Sequence, residues 1–108
     1  MEYITVANEK NFTFELTNCD GSPVDLSTST VKFILKESKQ DDDVRAVLSG
    51  EYVNSDTNIL SFQFDADQTK ALTDGKKYYA GLKIFRDGNL NEEVWNDEVK
   101  VVRGTFND

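Results

Sequence analysis

The sequence predicts an all-β fold, an antiparallel β-sandwich of about seven or eight short strands with one short connecting helix. Three observations carry that prediction. Apolar residues recur at every second position and not with helical spacing. Clusters of Asn, Asp, Gly, Ser and Pro interrupt the alternation about every eight to twelve residues, as turns do in such folds. Only one stretch carries a helix-start signature. A small closed barrel has the same pattern, so sandwich and barrel both stand at this level.

The elements follow in order. In Asn11–Thr17, Phe12, Phe14 and Leu16 fall on one side of a strand and face inward. Asn18-Cys19-Asp20-Gly21-Ser22-Pro23 reads as a turn. Val31, Phe33 and Leu35 form the apolar side of the next strand, with Lys32, Ile34 and Lys36 opposite. Gln40 to Asp43 is a charged loop. Val44 to Leu48 and Glu51 to Asn54 read as two short strands around Gly50, and Leu60, Phe62 and Phe64 mark another. Asp65 is a helix N-cap with Gln68 at the capping-box position, and Gly75 is read as the stop of a helical segment over Asp65–Thr73. Tyr78, Ala80, Leu82 and Ile84 share a strand face. Asp87-Gly88 signals a hairpin into a last strand from about Glu93 to Val102, with Val99 and Val101 on one face.

Composition bounds the function. The 108 residues fit one domain, 1–108, with no repeat or linker dividing it. There is no histidine, which removes imidazole acids, bases, triads and metal ligands, and the single cysteine removes intrachain disulfides and thiolate zinc sites. The net charge of -8 argues against a phosphate-backbone binder. Aromatic residues make up 11% of the chain, more than disordered chains carry. The longest apolar run is three residues, too short to span a membrane as a helix. The start, Met1-Glu2-Tyr3-Ile4, does not read as a signal peptide, and the lone Cys19 suits a reducing compartment. The Asn11-Phe12-Thr13 sequon therefore carries little weight.

Each charged cluster has a bland reading beside the functional one. Asp41-Asp42-Asp43 lacks the alternate ligand spacing and the glycine of a calcium loop, so it reads as solvated loop. Asn54, Asp56 and Asn58 have the spacing but Ile59 where the glycine belongs, and read as a turn. Asp65 and Asp67 are read as capping residues and not as an acid–base pair. No catalytic, cofactor or metal residues are assigned. Glu92, Glu93, Asp97 and Glu98 form the most one-sided charge region, with no basic residue from Asp87 to Val99. This stretch either faces a basic partner or keeps an edge strand soluble. Trp95 within it is either an interface anchor or a core residue, and counting by twos from Val99 puts it inward with Asp97 unless a bulge near Asn96 intervenes. Glu92, Glu93, Trp95, Asp97 and Glu98 are the candidate partner-binding set. Ile34, Phe85 and Val102 lie on outer strand faces and mark a binding surface if they cluster.

Pro23-Val24-Asp25-Leu26-Ser27 followed by Val31-Lys32-Phe33 resembles a phrase of small immunoglobulin-like domains in tailed-phage virion proteins. Phe62-Gln63-Phe64-Asp65, then Thr69, Leu72, Gly75 and Tyr78-Tyr79, resembles the strand, short helix, glycine and corner-tyrosine passage of the same group. The N-terminal domains of upper-baseplate proteins that carry receptor-binding proteins are of this type. The resemblance spans about residues 10 to 103. It implies an immunoglobulin-like sandwich with a tyrosine whose hydroxyl bonds back to the backbone. Two lysines separate Gly75 from Tyr78, which leaves Tyr78 and Tyr79 both open as the corner residue.

The resemblance further implies a non-enzymatic structural protein of a tailed bacteriophage virion, a tail or baseplate adaptor or a capsid or head-fibre decoration. Its partners would be other virion proteins (portal, capsid, tail or fibre subunits), met in symmetric copies after assembly in the host cytoplasm. Neither nucleic acid, membrane nor cofactor is expected. Met1–Ala7 is a candidate to add a strand to a neighbour's sheet. The alternative is a bacterial immunoglobulin-like carbohydrate- or protein-binding module, with Trp95 and Tyr52 as its test residues.

Overall fold

Alternating aromatic residues on several segments leave each with one apolar side, and two layers of strands bury those sides against each other. The computed structural model describes residues 1–86 and 91–103. Among these it contains β1 (Glu2–Thr5), β2 (Lys10–Glu15), β3 (Ser29–Lys36), β4 (Leu48–Val53), β5 (Ile59–Phe64), a helix α1 (Ala66–Lys70), β6 (Lys77–Arg86) and β7 (Glu92–Val102). One sheet has five strands in the order β1-β7-β6-β3-β4, and β2 and β5 form a second. The fold is all-β and sandwich-like, with one tiny helix.

Phe33 on β3 is fully buried between the layers. Its ring lies 4.7 Å from Phe12, 5.4 Å from Phe62, 5.7 Å from Phe64, 6.2 Å from Phe14 and 6.4 Å from Trp95. Val31, Leu35, Leu82, Ile84, Val99 and Val101 complete the inner face of the large sheet, as their alternation predicts. Phe14 and Leu16 also pack on this core, but only half-buried.

Tyr52 ties the layers together at their edge. Its hydroxyl donates to the Ser61 carbonyl at 2.6 Å and accepts from the Ser61 amide at 3.2 Å. A side chain of β4 thus satisfies both backbone groups of a β5 residue. Gly50 beside it has no room for a side chain: a Cβ there would stand 2.9 Å from Phe62 Cδ1.

The structure corrects five expectations. The large sheet is mixed and not purely antiparallel, because β1 runs parallel to β7, with Ile4 opposite Val101. The buried Ile4 explains why this short segment stays on its own sheet edge, so Met1–Ala7 already adds a strand within the chain. The second expected strand pair is one strand, β4, continuous through Gly50, and Asp43–Arg45 is a 3-10 turn. Gly75 does not stop the helix, which ends at its C-cap Ala71; Gly75 instead sits at φ +82° and donates its amide to the Val101 carbonyl at 2.8 Å. The bulge in β7 falls at Val94, where Leu82 pairs with Trp95 but Lys83 with Glu93, and not near Asn96. The Asp87-Gly88 hairpin signal lies outside the described residues.

The capping box is present. The Asp65 carboxylate accepts from the Gln68 amide at 2.8 Å, and the Gln68 side chain accepts from the Asp65 amide at 2.9 Å. Thr69, fully buried, donates to the Asn8 carbonyl at 2.7 Å and so pins α1 to the β1–β2 connection. That connection turns through Ala7 in the left-handed region, φ +63°.

Candidate functional site

A strand that buries one side must show the other. On β3 the outward positions are Lys32, Ile34 and Lys36, and on β6 they are Tyr79, Gly81, Lys83 and Phe85. The register sets Ile34 beside Gly81 and Gly81 beside Asn96, so the middle row lacks a side chain at its centre. A cavity of about 360 Å³ opens over this gap on the outer face of the five-stranded sheet. Ile34 and Phe85, singled out from the sequence, both line it; Val102 does not.

The next row is charged. Lys32 stands opposite Lys83, with Glu51 beyond Lys32 and Glu93 beyond Lys83. Like charges directly opposite on one sheet face repel. Among the described residues neither lysine has a carboxylate within ion-pair distance. The Lys83 ammonium lies over the Phe85 ring at 5.1 Å, and Lys39 over Tyr79 at 5.5 Å. Lys36 is occupied otherwise: it donates to the Asp41 carbonyl at 3.0 Å and to the Asp43 carboxylate at 3.2 Å, which fastens the acidic loop to β3. Glu93 reaches across Gly81, where its Oε1 lies 2.8 Å from the place a Cβ would take.

The acidic stretch predicted as a contact surface is divided by the sheet. Glu92 pairs with Arg86 at 3.6 Å and Glu98 with Lys77 at 3.4 Å. Asp97 lies 3.6 Å from the Met1 ammonium and accepts from the Glu98 amide at 2.8 Å. Neighbouring strands and the N-terminus therefore supply the countercharge that the linear sequence lacks. Trp95 is half-buried on the core side, its ring 4.9 Å from Phe14. Of the candidate set, Glu93 and Asp97 line the cavity.

Lys32, Tyr79, Gly81 and Lys83 were not among the sequence candidates. Their signal was present in part: an apolar residue between two lysines on β3, and a lysine two positions before Phe85 on β6. What joins them is the register of three strands, which is not written in any one of them. Asp41, Asp42 and Asp43 gather no metal site, and among the described residues no cluster of His, Cys, Asp or Glu has the arrangement to hold a metal ion.

The two tyrosines that the spacing left open differ in burial: Tyr78 is the inner one. It is buried, and its hydroxyl accepts from the Thr73 amide at 2.9 Å, while Tyr79 faces outward into the cavity. No protein-family model, curated protein or solved structure matches the chain.

Proposed function

We propose that the chain is a non-enzymatic immunoglobulin-like β-sandwich module that works by protein–protein docking, as a structural part of a tailed bacteriophage virion. The observation that carries this reading is the corner made by Tyr78. Its hydroxyl bonds to a backbone amide five residues upstream, as the corner tyrosine of immunoglobulin-like sandwiches does. It closes the same passage, Phe62 to Tyr79, whose sequence resembles the phage domains. The Pro23–Ser27 phrase adds support: Asp25 accepts from the Ser27 amide at 2.9 Å, and Leu26 is buried in the core just before β3.

Rigid display is the mechanism. The interlocked aromatic core fixes the sheet, and the sheet presents its outer face and edges to neighbouring portal, capsid, tail or fibre subunits in symmetric copies. Tyr52 and Trp95, the residues a glycan-binding module would need outside, are turned toward the core, which favours docking to protein. Mass spectrometry of purified particles from cells that express the chain tests the reading. The expected result is its presence in stoichiometric amount; its absence from particles overturns the virion assignment.

A further inference from the structure

We infer that the cavity over Gly81 is a docking groove for an acidic segment of a partner protein, one that carries an apolar side chain among its carboxylates. Charge complementarity identifies the occupant. On a chain of net charge -8, Lys32 and Lys83 face each other at the rim without an ion-pair partner among the described residues. Glu51 and Glu93 stand on the outer sides of this pair but not within ion-pair distance, so the two ammonium groups still repel across the strands, and a carboxylate placed between them relieves that repulsion. The floor beside them is apolar: Ile34 on β3 and Phe85 on β6 flank the gap that Gly81 leaves. An aliphatic or aromatic side chain fits that gap while its acidic neighbours meet the rim.

The groove already receives one carboxylate. Glu93 folds over Gly81 from the adjoining strand, so the partner's apolar side chain enters the gap only as this carboxylate swings aside. It acts as an internal stand-in that a partner displaces, so it lowers affinity without blocking the site.

This inference rests on the docking reading above but not on the virion. A chain found in particles that ignores acidic peptide loses only the groove. A chain that binds peptide but is missing from particles keeps the groove and loses the virion.

The test is a titration of the isotope-labelled chain, followed by amide NMR, with the capped peptide Glu-Glu-Phe-Glu-Glu and its Gln-Gln-Phe-Gln-Gln counterpart. The acidic peptide is expected to shift the amides of Lys32, Ile34, Gly81, Lys83 and Phe85 saturably, with the neutral one at least about fivefold weaker. The neutralising pair Lys32→Gln and Lys83→Gln should weaken binding about tenfold or more, and Glu93→Gln should strengthen it about two- to threefold. Absence of saturable shifts, shifts mapped away from the groove, or equal binding of the neutral peptide overturns the inference. So does a sulfated oligosaccharide that outcompetes the peptide at the same amides, since it makes the groove a glycan site.

Discussion

The two faces of the five-stranded sheet are built from the same strands and do opposite things. On the inner face Val31, Phe33 and Leu35 of β3 and Tyr78, Ala80, Leu82 and Ile84 of β6 are buried in the core. On the outer face the same strands carry Lys32, Ile34, Lys36, Tyr79, Lys83 and Phe85, a mixture that no second layer of strands covers among the described residues. Gly81 marks the difference most plainly: Leu82 next to it fills the core, while Gly81, with no side chain of its own, is covered by the Glu93 carboxylate. The inner face holds the packed core, and the outer face is where docking is proposed, so substitutions on the two sides should separate cleanly.

The largest expected effect is on the inner side. Phe33→Ala removes the ring that five other aromatic rings approach, and should cost about 3–5 kcal/mol of unfolding free energy in urea titration. A loss under about 1 kcal/mol would place the core elsewhere. Tyr78→Phe keeps the ring but strips the hydroxyl from the Thr73 amide, and should cost about 1–3 kcal/mol in the same assay. If Tyr79→Phe cost more, the corner would belong to the other tyrosine.

Smaller effects sharpen the comparison at its margins. Asp65→Ala removes one half of the capping box and should cost about 1 kcal/mol, read as a lowered melting temperature. The smallest effect is at acid pH. The Ser22 hydroxyl and amide, in that order, hold the Asp20 carboxyl below its ordinary value of 3.8, and the Ser27 amide does the same for Asp25. A carboxyl lowered on folding stabilises the fold above 3.8, and that contribution is lost as pH falls below this value. Asp20→Asn should therefore flatten the acid limb of the stability profile slightly and leave the neutral range level, as checked by melting across pH.

Local patterns made much of the fold legible. Alternation in Phe12–Leu16, Val31–Leu35 and Tyr78–Ile84 reports which side of a strand meets the core, because side chains alternate wherever a strand pairs. The capping box of Asp65 and Gln68 was equally local. What the pattern does not carry is partnership. The segment Glu2–Thr5 is too short for its alternation to stand out, and only the burial of Ile4 beside Val101 shows why it joins β7 in parallel. The acidic stretch from Glu92 to Glu98 looked unopposed because its countercharges, Lys77, Arg86 and the N-terminal ammonium, come from elsewhere in the chain. The cavity is hidden for the same reason, since Ile34, Gly81 and Asn96 meet only through the register.

One paired measurement bears most directly on the division of the sheet into a stabilising and a recognising face: urea unfolding and acidic-peptide binding, both on the Lys32→Gln, Lys83→Gln double variant. The expected result is an unfolding free energy within about 0.5 kcal/mol of the parent, as for surface changes that leave no group buried and unpaired, together with loss of at least about nine-tenths of the affinity. Unchanged binding, or a fall in stability of about 2 kcal/mol or more with binding lost only in proportion to unfolded chain, would contradict it.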